Sequence, residues 1–222
     1  IAKTEAAKDY LLKKKYRNVI VLSVGLDEVP VERNEAFDKE IAAFKASHPK
    51  LLLYIGAIES RRNPDFLIDL IKQTKEDNVG LVMIGKGPLQ ESIINRIRCE
   101  GLEDKILTYE SIPNKNLISV YERANVFLLP TAYEIYGMVV MESLAYGVPV
   151  ISTPEAGPQY LLSDKIYGTC VPLDIEKWLA IIDYYLKNQD TEEYQKARVA
   201  YVNQHYRWHL IAKQYFNIIS SM

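Results

Sequence analysis

The sequence is poor in cysteine and histidine. Its 222 residues include two cysteines, Cys99 and Cys170, and three histidines. Because the cysteines lie far apart and no CxxC spacing occurs, neither a disulfide framework nor a metal cluster is predicted. We therefore expect no metal at the functional site, and we expect both thiols to be reduced and buried as small hydrophobic side chains.

Long hydrophobic runs and a basic excess are also missing. No stretch approaches the roughly 18 uninterrupted apolar residues of a membrane-spanning helix, and the opening segment lacks the apolar centre of a signal peptide. The formal net charge is −2, so no nucleic-acid partner is expected, because non-specific binding to nucleic acid depends on a basic field. These absences predict a cytoplasmic protein. The basic run at 13–17 is typical of a solvated face, with peripheral contact at the inner face of a membrane as the alternative.

What the sequence has in abundance is short apolar runs that alternate with amphipathic segments. The apolar runs predict strands at 19–24, 51–57, 80–85, 105–110, 125–130, 148–153 and 167–173. The amphipathic segments predict helices at 4–15, 36–46, 65–76, 88–101, 116–124 and 138–147, a short helix from 157, and helices from 175 to the end. This alternation predicts an α/β fold with a Rossmann-like parallel sheet and helices on both faces. Ligands of such sheets bind at the carboxyl ends of the strands, so the loops after 56, 85, 110, 130 and 153 are the candidate functional segments.

Two carboxylates mark one of these loops. Glu134 lies in the loop after strand 125–130, and Glu142 lies in the helix that follows. Gly137 lets the backbone approach a ligand closely, so that the amides of Met138 and Val139 can point at an anion at the helix N-terminus. A diphosphate fits such a position. Carboxylates accept hydrogen bonds from neighbouring hydroxyls, which suits ribose or sugar diols on either side of that diphosphate.

These residues resemble a known family, the family-4 glycosyltransferases of the GT-B fold. The hallmark of that family is a Glu-x7-Glu motif followed by Gly-x-Pro-Val-Ile, which here is Glu134, Glu142 and the run 147–151. The segments 54–63, 84–88 and 206–215 resemble its phosphate loop, its glycine turn and its closing helix, so the resemblance extends over almost the whole chain.

The resemblance implies roles for individual residues. Glu142 holds the ribose of a UDP- or GDP-type nucleotide sugar, and Glu134 holds the transferred sugar as a catalytic residue. Arg62 takes the place of the phosphate-binding lysine and is the second catalytic residue. The remaining donor-binding positions are the backbone of Gly137, Met138 and Val139, the side chain of Arg61, the loop glycines Gly56 and Gly85, and the base-lining residues Tyr109 and Ile112. The family commonly has an arginine directly after the strand's glycine, where this sequence has Ala57.

The resemblance also implies a domain organisation and an activity. Residues 1–27 correspond to a remnant and linker of an N-terminal acceptor domain, and residues 28–222 to the C-terminal nucleotide-sugar-binding domain. The expected activity is retaining transfer of a hexose-type sugar to a glycan or lipid-linked acceptor, without a cofactor. We expect the isolated fragment to be inactive, since the acceptor would be bound by the other domain.

Other functions remain as alternatives. One is a non-catalytic nucleotide-binding module that has kept the fold, and another is a nucleotide-sugar epimerase or a phosphorylase relative of the same architecture. A dinucleotide cofactor is poorly supported, because Gly85-Lys86-Gly87 is followed by Gln90 where the GxGxxG fingerprint has its last glycine. Arg61 and Arg62 could also be solvated surface cations, and Gly85 could serve only the turn between strand and helix.

Overall fold

Six strands of the chain form one parallel sheet. The structure is a computed structural model that describes residues 1–28, 31–76, 78–187 and 190–220. The order across the sheet is β3-β2-β1-β4-β5-β6. The winding therefore reverses between β1 and β4, and the crevice at the carboxyl ends of these two strands is where open parallel sheets bind ligands. The strands are β1 (Lys50–Ile55), β2 (Val79–Ile84), β3 (Ile106–Tyr109), β4 (Val126–Leu129), β5 (Val150–Ser152) and β6 (Gly168–Cys170).

Helices connect the strands and continue beyond the sheet. Two single 3-10 turns, Ser60–Arg62 and Asn114–Asn116, lie in loops at the carboxyl edge of the sheet. The α-helices of the described residues are α1 (Glu5–Lys13), α2 (Glu35–Ser47), α3 (Pro64–Gln73), α4 (Gln90–Cys99), α5 (Ile118–Tyr121), α6 (Met138–Ala145), α7 (Ala156–Leu161), α8 (Ile175–Lys187), α9 (Glu192–His205) and α10 (Trp208–Ser220).

The sheet is covered on both faces, as the alternation of its side chains requires. Leu51 and Leu53 of β1 belong to a core cluster that includes residues of α2, α6 and α9. Leu52 and Tyr54 point to the opposite face, where the cluster includes residues of α3, α4 and α8. Successive strand residues face opposite sides of a sheet, so a run of buried residues requires two covering layers. The predicted Rossmann-like α/β fold is confirmed.

Four of the predicted elements differ clearly in extent or kind. The strands predicted at 148–153 and 167–173 are shortened to β5 and β6, three residues each. The segment 19–24 is not a strand: Val21 forms an isolated bridge with Ala2, in which the Ala2 amide donates to the Ile20 carbonyl over 2.8 Å. One bridged residue pair does not make a ladder of hydrogen bonds between strands, so the apolar run 19–24 does not form a strand. The helix predicted at 116–124 is also shorter, because a 3-10 turn precedes α5 and the chain leaves the helix for β4 soon after Tyr121.

The prediction that both cysteines are buried is wrong for Cys99. Ile93 and Ile97 form the buried side of α4, and Cys99 is exposed at the end of that helix. Two residues after Ile97, the side chain has turned by roughly 200°, away from the core. Cys170 is half-buried on the edge strand β6, and burial raises the pKa of its thiol to about 11.

The N-terminal segment is attached to the sheet domain near the start of α10. The Leu26 amide donates to the Tyr206 carbonyl over 2.6 Å, and Leu26 forms a bridge with Arg207. The Trp208 ring lies directly over Gly25, where an added Cβ would stand 2.4 Å from a ring carbon. Residues 23–28 are therefore held beside the carboxyl edge of the sheet.

Candidate functional site

An ion pair bridges the crevice between β1 and β4. Arg62 follows β1 and Glu134 follows β4, and Arg62 Nη1 donates to Glu134 Oε2 over 2.7 Å. The same nitrogen donates to Thr131 Oγ1 over 3.2 Å. The two side chains are only 14% and 15% exposed, so the pair is largely shielded from water.

The two loops that carry this pair are tied to each other. The Ala132 amide donates to the Arg61 carbonyl over 2.7 Å, and Asn63 Nδ2 donates to the Pro130 carbonyl over 3.0 Å. Asn63 has φ 46, a left-handed conformation that asparagine tolerates better than most residues. It ends the 3-10 turn and lets Pro64 begin α3. This local geometry directs Arg62 inward.

Glu134 also contacts the N-terminus of α6. Its Oε1 accepts from the Gly137 amide over 3.0 Å and from the Tyr136 amide over 3.4 Å. Gly137 has φ 90 and is the N-cap of the helix, and the amides of Met138 and Val139 follow in the first turn, where helix amides lack intrahelical acceptors. The helix dipole favours negative charge at this position. The carboxylate thus occupies a place that suits an anionic ligand.

A glycine keeps this loop close to the segment after β5. The Gly157 amide donates to the Glu134 carbonyl over 3.0 Å. A Cβ on Gly157 would lie 2.3 Å from the Tyr136 carbonyl oxygen, so no larger residue fits without moving the loop. The position of Glu134 therefore depends on contacts from three segments of the chain.

Glu142 lies one turn further along α6, beside a pocket of about 190 Å³. No hydrogen bond or ion pair of its carboxylate occurs within the part of the chain that the structure describes. Burial raises the pKa of Glu142 above its ordinary value. Of the described residues, no lysine or arginine lines the pocket, whose walls are Gly25, Leu26, Asp27, Glu28, Asn114, Tyr121, Met138, Glu142, Tyr146 and Trp208.

A second, smaller pocket of about 110 Å³ lies at the carboxyl ends of β2 and β3. Gly85 and Tyr109 both line it. Gly85 packs tightly against Gly56, directly after β1, and an added Cβ would stand 1.8 Å from the Gly56 carbonyl oxygen. This close packing alone explains why a glycine occupies position 85. The Tyr109 ring packs edge-on against Phe37 at 5.2 Å, and Ile112 is half-buried against the core.

Arg61 is placed differently from Arg62. Its Nε lies 2.7 Å from Glu59 Oε1, and its Nη1 donates to the Tyr133 carbonyl over 3.3 Å. The side chain is 46% exposed at the rim of the crevice. The structure therefore brings Arg62, Glu134 and the start of α6 together, with Arg61 beside them and Glu142 in the adjoining pocket.

Three further residues, for which no individual role was predicted, belong to this region. Thr131 accepts from Arg62, and Tyr121 lines the pocket of Glu142. The Tyr136 hydroxyl is turned away from the crevice and bonds Ser23 and the backbone of Val24. Thr131 could have been found from its place at the carboxyl end of a strand. The other two are tyrosines among many, and their spacing carries no signal of function.

Neither a metal site nor a membrane-spanning helix is found in the described ranges. No group of three or more potential metal-ligating side chains occurs there. No helix there has the length and apolar character needed to cross a membrane.

The arrangement suits a ligand with a charged centre and hydroxyl-rich flanks. Arg62 and the first turn of α6 favour an anion. Glu134 and Glu142 lie on either side of that position as hydrogen-bond acceptors for hydroxyl groups. A diphosphate between two sugars has this distribution of charge and hydroxyls.

Comparison with known proteins identifies a family for the chain. The family described as "Glycosyl transferases group 1" matches residues 36–202, more than half of the chain. An uncharacterized glycosyltransferase of Methanocaldococcus jannaschii is 25% identical over 173 residues, which are 76% of this chain and 44% of that protein. The chain thus spans less than half the length of this relative.

Solved structures of larger proteins contain a similar fold. Sucrose-phosphate synthase of Thermosynechococcus elongatus matches with a TM-score of 0.83 and 21% identity over 99% of this chain and 57% of that one. Anabaena HepE in complex with UDP and glucose matches with a TM-score of 0.82 and 17% identity over 100% of this chain and 62% of that one. The chain therefore belongs to the glycosyl transferases group 1 family, and its Rossmann-like sheet has the fold of a GT-B glycosyltransferase domain.

Proposed function

We propose that the chain is the donor-binding domain of a retaining glycosyltransferase that uses a UDP- or GDP-type nucleotide sugar. The observation that carries the proposal is the meeting of Arg62 and Glu134 at the N-terminus of α6, with the Glu142 carboxylate free in the next pocket. The UDP and glucose bound to Anabaena HepE support a UDP donor and a hexose.

The diphosphate lies against Arg62 and the amides of Gly137, Met138 and Val139. Its position is favoured by the guanidinium and by the helix dipole, while Glu134 moves from the Gly137 amide to the sugar hydroxyls. The Glu142 pocket takes the ribose, because a pocket with acidic residues and no lysine or arginine among its described lining is suited to a neutral diol rather than to a phosphate.

The base lies at the edge of β2 and β3. Gly85 and Tyr109 line the small pocket there, and the backbone near Ile112 follows β3. Gly56 lies under Gly85 and shapes the wall between this pocket and the diphosphate. The residues assigned to base, ribose, diphosphate and sugar thus form one continuous path along the carboxyl edge of the sheet.

The chemistry proposed for these residues is electrostatic. The bond between the anomeric carbon and the diphosphate breaks as the acceptor oxygen approaches the same face, and the acceptor proton leaves with the diphosphate. Arg62 and the α6 amides stabilise charge on the departing group, and Glu134 holds the sugar as its anomeric carbon becomes oxocarbenium-like. Arg61, at the rim, adds positive charge near the outer phosphate.

The acceptor is a glycan or a lipid-linked saccharide, bound by residues outside this chain. The relatives' greater length supports this assignment, since this chain spans 44% of one relative and about 60% of the solved neighbours. We infer that the full enzyme works in the cytoplasm in polysaccharide synthesis. Its basic run at 13–17 would contact the membrane surface, and the 222-residue chain alone would have little or no turnover.

The test is calorimetric titration of this chain with UDP, GDP and ADP, and with their glucose, N-acetylglucosamine and mannose conjugates. We expect one nucleotide to bind and its affinity to fall at least about tenfold in Glu142→Ala, since hydrogen bonds to a charged group contribute about 1.5–3 kcal/mol. Glu103→Ala, at a carboxylate that is 60% exposed, is the matched control. Undiminished binding by Glu142→Ala would contradict the assignment of that residue.

A further inference from the structure

One buried hydroxyl in the Glu142 pocket has no partner. Tyr121 is 1% exposed, and its hydroxyl makes no hydrogen bond with any described residue. Tyr121 nevertheless lines the pocket beside Glu142. A buried polar group without a partner is costly, so its presence needs an explanation.

Packing alone explains the ring but not the hydroxyl. The Tyr121 ring stacks on the Tyr146 ring, with centroids 4.6 Å apart and planes 10° from parallel. It also stacks on the Phe127 ring, with centroids 6.2 Å apart. A phenylalanine would make the same stacking contacts without leaving a hydroxyl unpaired. Contacts among the described residues therefore do not explain the hydroxyl.

The chemistry of the pocket indicates what would satisfy this hydroxyl. The lining of the pocket includes three acidic residues, Asp27, Glu28 and Glu142. This negative charge disfavours a phosphate, since none of the described residues in the wall is a lysine or arginine. Carboxylates only accept hydrogen bonds, whereas a tyrosine hydroxyl both donates and accepts, so together they match a pair of neighbouring sugar hydroxyls.

We propose that Tyr121 is a ribose-binding residue, whose hydroxyl pairs with one ribose hydroxyl of the nucleotide while Glu142 accepts from the ribose diol. This inference rests on the proposed function and adds a second side chain to the ribose site. Burial, and to a lesser extent the charge of Glu142, raises the pKa of the Tyr121 hydroxyl well above its ordinary value, so the group stays protonated.

The experiment compares Tyr121→Phe with the unchanged chain, using UDP, 2′-deoxy-UDP and 3′-deoxy-UDP, or the matching GDP series if GDP is the ligand. Tyr121→Phe is expected to weaken binding of the ribonucleotide about 3- to 10-fold, the range for one neutral hydrogen bond. For one of the two deoxy analogues the difference between the proteins should disappear, because the partner hydroxyl is gone.

Thermal unfolding separates this role from a structural one. Removing an unpaired buried hydroxyl should leave the Tm of Tyr121→Phe unchanged or raised. Tyr185→Phe is the matched control: the Tyr185 hydroxyl bonds Thr169 over 2.9 Å and the Lys165 carbonyl over 3.0 Å. Tyr185→Phe should have a lower Tm than the unchanged chain and the same nucleotide affinity.

The outcomes distinguish this inference from the proposed function. If the unchanged chain binds a nucleotide and Tyr121→Phe binds it equally well, the hydroxyl serves a buried water instead and the inference is wrong. If Tyr121→Phe weakens the ribonucleotide and both deoxy analogues by the same factor, the hydroxyl does not contact the ribose, and the inference is again wrong. If the unchanged chain binds no nucleotide, the proposed function itself is contradicted, and the inference with it.

Discussion

Arg62 Nη1 lies 2.7 Å from Glu134 Oε2, and the other oxygen of that carboxylate accepts the Gly137 amide over 3.0 Å. One carboxylate thus engages both groups that would bind a diphosphate. A phosphate that enters the crevice must compete with Glu134 for Arg62 and for the helix N-terminus. Glu134 is then free to contact the sugar, so the proposed site links donor binding to the placement of this carboxylate.

Glu134→Gln should therefore affect the affinities of two ligands to different extents. Removing the negative charge weakens the competition for Arg62, so we expect the free nucleoside diphosphate to bind about 3- to 10-fold more tightly, within the range of one hydrogen bond. The nucleotide sugar should gain less affinity, because the acceptor for its sugar hydroxyls is weakened. Calorimetry with both ligands measures the difference.

Glu155→Gln is the control for this prediction, since Glu155 lies in the loop after β5 and makes no ion pair with Arg62. Equal changes for the nucleotide and its sugar conjugate in Glu134→Gln would show that Glu134 does not contact the sugar. Weaker binding of both would show that the carboxylate supports the site and does not compete with the ligand.

Arg62→Met tests the cation directly. The substitution removes the charge and leaves the Glu134 carboxylate without its partner, so nucleoside diphosphate affinity should fall by at least about tenfold. Because phosphate recognition by arginine is charge-dependent, the loss should shrink as ionic strength rises. Arg98→Met, at a side chain that is 64% exposed on α4, is the control and should bind as the unchanged chain does. A nucleotide affinity that survives in Arg62→Met would exclude Arg62 from the diphosphate site.

Some elements of the fold could be predicted from the sequence and others could not. The four central strands of the sheet were predictable because they are buried apolar runs such as 126–129, and burial on both faces leaves little choice of structure. The run at 19–24 has the same composition but pairs only with Ala2, so its apolar residues are not in the sheet. An apolar composition predicts that a segment is buried. Whether the segment pairs as a strand depends on which other segments lie beside it in the fold.

The candidate site divides in the same way. Glu134, Glu142 and Gly137 were identifiable because they follow a strand at fixed spacing, which places them at the carboxyl edge. The ion pair of Glu134 with Arg62 joins positions 72 residues apart, and only the sheet order brings their loops together. The unpaired hydroxyl of Tyr121 was not predictable either. Its state depends on whether the residues packed around it in the fold offer a hydrogen-bond donor or acceptor.

Glu142→Gln should stabilise the protein in a pH-dependent way. Burial raises the pKa of Glu142, so the charged form carries a cost in the folded state at any pH above that raised pKa. As pH falls through the folded pKa toward the unfolded value, the group is protonated and the cost disappears. We expect Glu142→Gln to be about 1 kcal/mol more stable than the unchanged chain at neutral pH, with no difference in acid.

Urea unfolding at neutral pH and near pH 4 measures this effect, with Glu103→Gln as the exposed control. A Glu142→Gln variant that is less stable at neutral pH would mean that the carboxylate has a favourable partner in the free protein. In that case the Glu142 carboxylate would not be an unpaired acceptor available to a ligand.

Arg198→Met should be the most destabilising of these substitutions. Arg198 is 1% exposed, its Nε donates to the Gly147 carbonyl over 2.6 Å, and its Nη1 donates to the Ile166 carbonyl over 2.7 Å. It also pairs with Asp190. Removing the arginine leaves two carbonyls and a carboxylate without their donor, and breaking a buried ion pair costs about 3–5 kcal/mol.

The free energy of unfolding in urea checks this prediction, and Arg98→Met should stay within about 0.5 kcal/mol of the unchanged chain because its side chain is exposed. Since Gly147 directly follows α6, which carries Glu142, loss of Arg198 should also weaken nucleotide binding below the unfolding transition. A cost under about 1 kcal/mol would show that Asp190 and the two carbonyls are rehydrated when the guanidinium is removed. In that case α9 would contribute little to holding α6 in place.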